Sequence, residues 1–437
     1  MTLVSKFGGS SLSSAQQFEK VKKITLENED RRIVIVSAIG KREASDVKLT
    51  DLFYSVYEHM SQSAYYDSLW QEIDHRFLTV KKTLNLTYNI EEKLQQIRQG
   101  LAARSLSLDD LVSRGEYLTA KLMAEYLNFT FYDAKDLIIF HQDGTVDFKE
   151  SYARISTLPT DEKIIIPGFY GASPTGEIKL FSRGGSDITG AIIAAGVNAA
   201  TYENFTDVPG VLMADPRIVK NPKAIEHLTY DEMQAIAFMG AEVLHRKSVY
   251  PVKQKAIPIH IKNTNDPHGS GTFISSFPMA KKPCITGFFG KKNYTFLTLY
   301  KERGSSEIGF MRKIFEIFER YHVNIEQSLT GIDQVGILVS AIDIKYCIDS
   351  ILADLSKELQ IATVEIKEDF SLIAIFGRDV IRDAAFLTDV FGGLKEANIN
   401  PSLIEQSPCG LNLVIGVANH HYDAAICALY ESLVRRK

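Results

Sequence analysis

The sequence predicts an α/β protein with a mainly parallel sheet, followed by two smaller α/β units that repeat each other. Short apolar runs alternate with helical patterns over about the first 280 residues, which is typical of a parallel sheet covered by helices. One run, Arg32–Ala38, is apolar almost throughout, as in a strand buried on both faces. Further along, Thr295–Tyr300 is matched by Ser371–Phe376, and other pairs recur at the same offset of 76 residues, which indicates a duplication.

Composition limits the classes of function. The chain has 437 residues, enough for about three domains. With 45% hydrophobic and 24% charged residues, a net charge of −5 and no long run of Lys or Arg, we expect a globular protein whose main partner is not a nucleic acid. No apolar run reaches the roughly 18 residues of a membrane span, and no secretory signal precedes the first strand. The four cysteines form no CxxC pair, so we expect reduced thiols in a cytoplasmic protein.

The stretch Lys6–Ser11 is the first candidate for chemistry. It follows an apolar strand, Thr2–Phe7, and a helix starts just after it with Ser13 or Ser14 as its cap. A glycine turn between a strand and a helix exposes backbone N–H groups that can bind an anion, and Lys6 adds a positive charge. A transferring phosphoryl group needs such an environment. Two glycines after a strand are nevertheless more often a tight turn, and the Walker pattern GxxxxGK[ST] is absent.

A helical subdomain is predicted over about residues 45–130, because apolar residues recur there at helical spacing. One glycine lies between Gly40 and Gly115. The simplest role of such a subdomain is to cover the sheet. It also carries Thr50 and Glu116.

Strand-like runs return after the helical subdomain, among them Ala200–Asp207. Before Ala200–Asp207, the stretch Phe181–Asp187 leads into an apolar helix and is a second glycine-rich helix start. Ligands of parallel sheets bind beyond the carboxyl ends of the strands. Lys6, Asp207 and the loop Arg183–Asp187 all fall at such ends.

The domain boundaries follow from a loop-rich stretch and from the repeat. The first domain is predicted over residues 1–283. Each repeated unit reads strand, helix, strand, strand, helix, and the first of them, residues 294–367, gains a final strand that completes the ferredoxin-like order βαββαβ. The second unit is predicted over residues 284–290 and 368–437.

The second repeated unit lacks its own final strand before the end of the sequence. We predict that Cys284–Phe289 completes its sheet, because this strand-like segment has no place in the repeat. The first repeated unit is then inserted within the second. A shift of the second unit would act on the first domain through the linker Lys281–Pro283.

Four motifs in the same order resemble those of the aspartate kinases. They are KFGGSS at 6–11, SRGE at 113–116, SRGGSD at 182–187 and TDVPGVLMADPR at 206–217. The resemblance covers nearly the whole chain, and the two C-terminal units resemble the ACT regulatory domains of that family. It implies the amino-acid-kinase fold, a carbamate-kinase-like sandwich, and the reaction of L-aspartate with MgATP that gives 4-phospho-L-aspartate and ADP. This reaction is the first step of lysine, threonine and methionine biosynthesis, and the absence of a dehydrogenase sequence implies a monofunctional enzyme.

The chemistry asks little of the protein, because the substrate carboxylate is already a nucleophile and needs no general base. Catalysis then consists of holding two anions together and neutralising charge on the moving phosphoryl group. Lys6 is the candidate for the phosphoryl oxygens, together with the N–H groups of Gly8, Gly9 and Ser10. No carboxylate cage for a metal is visible, so Mg²⁺ would be carried mainly by the ATP phosphates, without protein side chains as ligands.

The resemblance implies roles for further residues. Its aspartate-binding positions are Thr50, Glu116, Arg183 and Ser186. Glu116 would pair with the substrate ammonium group, and the planar guanidinium of Arg183 with a substrate carboxylate. Asp187 would orient Lys6. The matching nucleotide-binding positions are Thr206, Asp207 and Arg217, with weaker matches at Leu212, Glu242 and Val243.

Simpler interpretations exist for several of these residues. Glu116 could be a solvated helix carboxylate, Arg183 a surface ion pair, and Asp207 and Asp215 turn residues. Because the motifs occur in register, we favour the functional interpretation for Glu116, Arg183 and Asp187. For Asp215 we keep the simpler one.

The likeness to the family is imperfect near the adenine site. Many relatives carry other residues than Leu212 and Glu242, and many have Pro where Arg246 follows His245. Contacts from these positions are therefore expected to come from the backbone, as around Val243. His245 is expected to be structural.

Two other functions remain open. One is another kinase of the same fold, acting on glutamate, acetylglutamate, carbamate or UMP; the SRGE motif and the paired ACT-like units argue against it. The other is a catalytically inactive amino-acid sensor. The intact set of Lys6, Glu116, Arg183 and Asp187 argues against this second alternative.

The resemblance also implies feedback by an end-product amino acid bound between ACT domains. A loop leading into a helix start suits an α-carboxylate, and Glu326 could hold an ammonium group. The predicted effector residues are Gly304, Phe310, Met311, Ile325 and Glu326. Lysine is favoured over threonine, although Gly331 stands where relatives often have Ser. Since open sheet edges tend to pair, we expect a homodimer joined through the ACT-like units, or a tetramer.

Overall fold

The computed structural model describes residues 1–436 except 44, 61–62, 160, 183, 242, 278–283, 303, 305–306, 362, 379–380, 382 and 408. The chain forms two compact units. The first comprises Met1–Leu212 and Ala224–Lys281, and the second comprises Met213–Lys223 and Lys282–Lys437. Among the described residues, no helix combines the length and the apolar character that a bilayer span requires.

The first unit contains a large sheet and a short hairpin. Their strands are, in chain order, β1 (Leu3–Phe7), β2 (Arg31–Val36), β3 (Thr130–Phe131), β4 (Ile164–Pro167), β5 (Tyr170–Ala172), β6 (Ile178–Leu180), β7 (Thr201–Thr206), β8 (His227–Thr229), β9 (Ile259–Asn263) and β10 (Thr272–Ser275). In the described part of the chain the large sheet has the order β3-β4-β2-β1-β7-β9-β10-β8, and its neighbours are parallel except β9 and β10. The prediction of a mainly parallel sheet is confirmed. The hairpin consists of β5 and β6.

The helices of the first unit cover this sheet. They are α1 (Ala15–Leu26), α2 (Leu49–Glu58), α3 (Ser63–Thr83), α4 (Ile90–Ala102), α5 (Leu108–Leu127), α6 (Ala134–Leu137), α7 (Phe148–Ile155), α8 (Gly185–Gly196), α9 (Tyr230–Phe238) and α10 (Arg246–Gln254). Helices α2 to α5 form the helical subdomain, in which Phe53, Trp70 and Phe77 are fully buried. The same apolar core reaches Phe7 and Val36 at the ends of β1 and β2, so the subdomain covers the strand ends that form the candidate site.

Helix α1 starts as its sequence dictates. Ser14 is the N-cap, and its side chain accepts a hydrogen bond from the Gln17 amide at 3.4 Å. The predicted apolar stripe of Phe18, Val21 and Ile24 is buried. The glycine turn after β1 is therefore followed at once by a helix packed on the core.

The second unit is built on one antiparallel sheet. Its strands are β11 (Cys284–Tyr300), β12 (Ile325–Thr330), β13 (Gln334–Ser340), β14 (Thr363–Arg378), β15 (Leu403–Gln406) and β16 (Asn412–Ala418). Its helices are α11 (Phe310–Arg320), α12 (Ala341–Ile344), α13 (Ile348–Leu359), α14 (Ala384–Glu396) and α15 (Tyr422–Tyr430). Within the described residues the strand order is β12-β13-β11-β14-β16-β15.

Two long strands, β11 and β14, run through both repeated units. Cys284–Phe289 pairs with the end of β14, from Ala374 to Arg378, and Tyr294–Tyr300 pairs with its beginning. The first of these pairings is the one that the sequence analysis predicts. The repeats do not have separate sheets, however, because each of these strands continues from one repeat into the other. Neither strand contains a proline, which would interrupt the pairing. The predicted linker Lys281–Pro283 lies outside the described residues.

The segment Met213–Lys223, here called the arm, belongs to the second unit, although it follows β7 in sequence. The Phe288 amide donates a hydrogen bond to the Met213 carbonyl at 2.6 Å. The Lys223 amide donates to the Tyr430 hydroxyl at 2.8 Å. The sequence does not predict that this segment, which carries the predicted nucleotide-binding residue Arg217, joins the second unit.

Candidate active site

The centre of the candidate active site is an ion pair between Lys6 and Asp187. Lys6 lies near the end of β1, and Asp187 lies in the first turn of α8. The Lys6 Nζ atom is 2.6 Å from Asp187 Oδ1, and the two side chains are 10% and 14% exposed. Because both groups are largely shielded from water, their attraction exceeds that of a surface ion pair. A Cβ on Gly8 would lie 3.4 Å from Lys6 Nζ, so the ammonium group is held beside the glycine turn.

Asp187 is itself held by residues that the sequence analysis did not identify. The Asn204 Nδ2 atom donates a hydrogen bond to Asp187 Oδ1 at 3.0 Å. The Tyr202 hydroxyl donates to the backbone carbonyl of Asp187 at 3.1 Å. Asn204 is the register partner of Lys6 between β7 and β1. The signal that could have found it is a polar residue within a buried strand, where each polar group needs a partner.

The glycine turn offers fewer amides than the sequence analysis predicts. The Gly8 N–H donates to the Phe205 carbonyl at 3.1 Å, because Gly8 still takes part in the bonding between β1 and β7. The prediction that this amide binds phosphate therefore needs correction. Gly9 and Ser10 instead start a 3₁₀ turn, Gly9–Leu12, whose first N–H groups have no partner within the turn. They are the amides of the turn that can reach an anion.

Glu116 is the buried carboxylate of the site. It lies on α5 and is 4% exposed. Its Oε2 atom is buried and has no hydrogen-bond partner among the described residues. Burial raises the pKa of Glu116 to about 8, although a hydrogen bond from the Ala38 N–H opposes the shift. A buried carboxylate with a free oxygen suits a cationic group of a ligand.

Ala38 connects the glycine turn with Glu116. Its carbonyl oxygen would lie 3.2 Å from a Cβ on Gly9, and its N–H donates to the Glu116 carboxylate. The predicted phosphate turn and the predicted ammonium-binding carboxylate thus lie on opposite sides of one residue.

Thr50 is the second residue of α2 and is partly buried. The residue before the helix, Lys48, makes no side-chain cap. The first-turn N–H groups of α2 thus lack a capping side chain, and such groups bind carboxylates well.

Helix α8 starts in a tight glycine corner. Gly184 has a φ of +71°, and a Cβ there would lie 2.5 Å from the Cβ of His245, so the position needs glycine. Ser186 follows in the first turn and is 8% exposed. Arg183 lies outside the described residues. His245 is the N-cap of α10 and accepts a hydrogen bond from the Lys247 amide at 3.3 Å, which agrees with the expected structural role.

Most of the predicted nucleotide-binding residues lie in the first unit. Thr206 ends β7, and its hydroxyl donates to Asp207 Oδ1 at 3.2 Å. Leu212 and Val243 are partly buried. Glu242 lies outside the described residues.

Arg217 is in the arm of the second unit. Its side chain is 85% exposed, and its Nη2 atom lies 2.6 Å from Asp215 Oδ2. Asp215 thus pairs with Arg217 two residues away, which suits the simpler interpretation of Asp215.

The predicted effector residues line two different cavities of the second unit. Gly304, Phe310 and Met311 border a cavity of about 350 Å³. Ile325 and Glu326 border another of about 600 Å³. The expectation that all five face one region is not met within one chain, because the first residues of β12 share a cavity with Phe318 and Glu319 near the end of α11. Thr330, at the other end of β12, borders the cavity at the start of α11.

The chain is similar to a known protein family and to several known proteins. Residues 1–263 match the model of the amino acid kinase family. Aspartokinase 3 of Bacillus subtilis (strain 168) is 32% identical over 443 residues, which cover 98% of each chain. The crystal structure of Clostridium acetobutylicum aspartate kinase is 38% identical, with a TM-score of 0.87 and 99% of each chain covered. Lysine-sensitive aspartokinase 3 of Escherichia coli (strain K12) is 25% identical, with 91% of this chain and 92% of that protein covered.

Proposed function

The chain belongs to the aspartate kinases, within the amino acid kinase family, and we propose that its catalytic centre is the Lys6–Asp187 pair with the adjoining glycine turn. The enzyme transfers the γ-phosphoryl group of ATP to the side-chain carboxylate of L-aspartate. The products are 4-phospho-L-aspartate and ADP. The observation that supports this centre is the 2.6 Å contact between Lys6 Nζ and Asp187 Oδ1 beside the turn.

In the transfer, a carboxylate oxygen of aspartate attacks the γ-phosphorus, and the bond to the bridging oxygen of ADP breaks. Negative charge is spread over the phosphoryl oxygens in the transition state. Lys6 neutralises this charge, Asp187 fixes the ammonium group of Lys6, and Asn204 fixes Asp187. No general base takes part, because the attacking carboxylate is ionised at neutral pH.

The aspartate substrate lies on the Glu116 side of Ala38 in this proposal. The free Oε2 atom of Glu116 accepts the substrate ammonium group. Thr50 and the first turn of α2 bind one substrate carboxylate, and Arg183 and Ser186 bind the other. Holding the carboxylate next to the phosphate turn supplies the proximity on which the rate depends.

The nucleotide is assigned to the amides of Gly9 and Ser10 and to the end of β7. Further proposed contacts come from Thr206, Asp207, Arg217, Leu212, Glu242 and Val243. We propose that Mg²⁺ enters on the ATP phosphates, as this ion commonly does.

We further propose feedback inhibition by lysine. One supporting observation is the likeness to lysine-sensitive aspartokinase 3 of Escherichia coli. The other is the cavity at the start of α11, where the N-cap residue Gly309 provides no side-chain cap for the helix. An α-carboxylate can therefore bind the first N–H groups of α11. Glu326, on the other cavity, is proposed to hold the ε-ammonium group.

We propose that a homodimer brings these two cavities of the second unit together. Within the described residues β12 and β15 are the outer strands of the sheet, and outer strands carry unpaired backbone groups that favour association. We propose that the association involves the ACT-like units, residues 294–367 and residues 284–290 with 368–437, and we leave open a tetramer built from such dimers.

A coupled assay of ADP release tests the function. The enzyme is given ATP and Mg²⁺ with aspartate, with glutamate or without an acceptor. We expect release with aspartate alone. Release with glutamate would indicate another kinase of the fold, and no release by folded protein would indicate a sensor.

A further inference from the structure

A cluster of four charged side chains holds the loop between β2 and α2. The loop, residues 37–48, leads from the end of β2 to the helix start that carries Thr50. Arg42 and Asp46 belong to this loop, whereas Glu72 and Arg76 belong to α3 of the helical subdomain. The proposed function gives these four residues no role.

Arg76 is the buried member of the cluster, with a side chain that is 1% exposed. Its Nη2 atom donates to Asp46 Oδ1 at 2.6 Å, and its Nε atom donates to Glu72 Oε1 at 2.8 Å. Arg42 binds Asp46 from the other side, because its Nε atom and its backbone N–H each donate to Asp46 Oδ2 at 3.0 Å. Burial opposes ionisation of Asp46, but the hydrogen bonds from Arg42 and the charge of Arg76 lower its pKa to about 2.

Asp46 is the residue through which this loop is anchored. The described residues around it, from Lys41 to Lys48, are otherwise exposed, whereas the Asp46 side chain is 9% exposed. An exposed polar loop has little apolar surface to fix its position. The position of this exposed part of the loop therefore depends on the bonds to Asp46.

Both ends of the loop enter the candidate active site. At one end the Ala38 N–H binds Glu116, and the Ile39 N–H donates to the Thr119 hydroxyl at 3.2 Å. At the other end Thr50 follows Asp46 by four residues. A displacement of Asp46 would thus be passed directly to Thr50 and the first turn of α2.

We propose that Arg76 is a positioning residue for aspartate: through Asp46 it fixes the 37–48 loop so that Thr50 and the start of α2 meet the substrate carboxylate. This inference rests on the proposed function. Stability alone does not explain the ion pair of Arg76 and Asp46, because replacing a buried ion pair by apolar groups is often neutral or stabilising. The ion pair does fix the loop in one position, because the Arg76 guanidinium binds Asp46 and Glu72 at the same time.

The test compares Arg76→Met and Arg76→Lys with a control, Arg98→Met. Arg98 lies in the same subdomain, pairs with Asp74 at 3.3 Å and stacks over Trp70, without contact to the loop. We expect Arg76→Met to raise the KM for aspartate about tenfold, because this is the usual effect of losing one hydrogen bond to a charged group. The kcat and the KM for ATP should change by less than about twofold. Arg76→Lys should fall between wild type and Arg76→Met, and the control should resemble wild type.

A double-mutant cycle tests whether the effect passes through Thr50. In a Thr50→Val background, Arg76→Met should raise the KM for aspartate by a smaller factor than in wild type, because part of the contact that it positions is already lost. Independent, multiplying effects would overturn the inference, and so would a change in kcat with an unaltered KM. If Arg76→Met does not fold, Asp46→Asn, which keeps the shape of the side chain but removes its charge, serves the same comparison.

Amide hydrogen exchange separates this inference from the proposed function. Residues 45–50 should exchange faster in Arg76→Met than in wild type and in Arg98→Met. Equal exchange would overturn the inference even in an active enzyme. Absence of aspartate-dependent ADP release by wild type would instead refute the proposed function, and with it the role in aspartate binding, whatever the exchange shows.

Discussion

Gly40 packs so closely against Gly9 that a Cβ on Gly40 would lie 2.1 Å from the Gly9 carbonyl oxygen. A real Cβ does not come so near a backbone atom, so position 40 needs glycine as long as this contact exists. Gly40 lies in the loop that leads to Thr50, and Gly9 lies in the turn to which we assign the phosphates. The contact therefore joins the proposed sites of the two substrates through the backbone.

Gly40→Ala should raise the KM for ATP more than about tenfold, because the backbone of the glycine turn has to move to admit the methyl group. A glycine in open space provides the control. No atom lies within 4 Å of a Cβ on Gly392, inside α14, so Gly392→Ala should stabilise the protein by about 0.5–1 kcal/mol and leave kinetics unchanged. Steady-state kinetics and thermal unfolding measure both variants. A normal KM for ATP in Gly40→Ala would separate Gly40 from the nucleotide site.

Lys6→Ala should lower kcat by about 10²–10³, the usual effect of removing one electrostatic donor to a transition state. Lys22→Ala is the control, since the ammonium group of Lys22 binds the Tyr126 carbonyl at 2.9 Å, away from the glycine turn. Arg183→Ala should act chiefly on the KM for aspartate. Near-normal turnover by Lys6→Ala would show that the phosphoryl group is transferred elsewhere.

The residues that could be predicted from sequence are those whose neighbours in the chain share their role. Lys6 stands next to its glycines, and Asp187 stands in a helix start. The roles of Asn204 and Arg76 were not predicted, because each acts through a residue that is distant in sequence. Glu72 and Arg76 also have the i, i+4 spacing of an ordinary exposed helix pair, which hides the buried contact to the loop.

The boundaries of domains and sheets were harder to predict, because contacts between distant parts of the chain decide them. The first domain is predicted over residues 1–283, yet the chain passes from the first unit to the second after Leu212 and returns at Ala224. Likewise, two repeats suggest two sheets, whereas β11 and β14 serve both. The partners of the strands decide such cases, and of these only the pairing of Cys284–Phe289 with the second repeat was predicted from the sequence.

Aspartate binding should depend on pH through Glu116. Burial raises the pKa of this carboxyl group to about 8 in the empty site, whereas pairing with an ammonium group requires the ionised form. The KM for aspartate should therefore fall about tenfold per pH unit as the pH rises from 6 to 7, and level off above pH 8. Burial lowers the pKa of His245, the direction opposite to the shift of Glu116.

Glu116→Gln is the matched variant for this pH dependence. Its KM should be high and nearly constant between pH 6 and 8. Because the folded-state pKa of Glu116 lies above its ordinary value of 4.5, wild type should also lose stability relative to Glu116→Gln as the pH rises from about 5 to about 8. A wild-type KM that does not change with pH would mean that Glu116 does not bind the ammonium group.

Glu326→Ala should leave the uninhibited rate intact and raise the inhibitory lysine concentration about tenfold or more, because one charge-assisted bond to the effector is lost. Glu316→Ala is the control, since Glu316 pairs with Arg312 at 2.8 Å on the exposed face of α11. Inhibition curves with lysine and with threonine give the answer. Unchanged lysine inhibition would remove Glu326 from the site, and inhibition by threonine alone would identify a different effector.

The arm, which carries the proposed nucleotide-binding residue Arg217, is held within the second unit by several hydrogen bonds. Besides its bonds to Phe288 and Tyr430, its Ile218 carbonyl accepts from the Cys427 thiol at 3.3 Å. Its Lys220 carbonyl accepts from the Arg435 guanidinium at 2.6 Å. The arm carries Arg217, so a shift of β11 or α15 on effector binding would move Arg217 with it.

Tyr430→Phe should weaken feedback inhibition without weakening effector binding. The variant keeps the buried ring but removes the hydroxyl that accepts from the Lys223 amide, so the arm is held less firmly to α15. Tyr321→Phe is the matched control, because it removes a hydroxyl that donates to Asp354 at 2.8 Å elsewhere in the same unit. Each change should cost about 1 kcal/mol of stability, but only Tyr430→Phe should raise the inhibitory lysine concentration, while calorimetry shows lysine binding unchanged in both. Equal inhibition of Tyr430→Phe and wild type would mean that the effector signal does not pass through the arm.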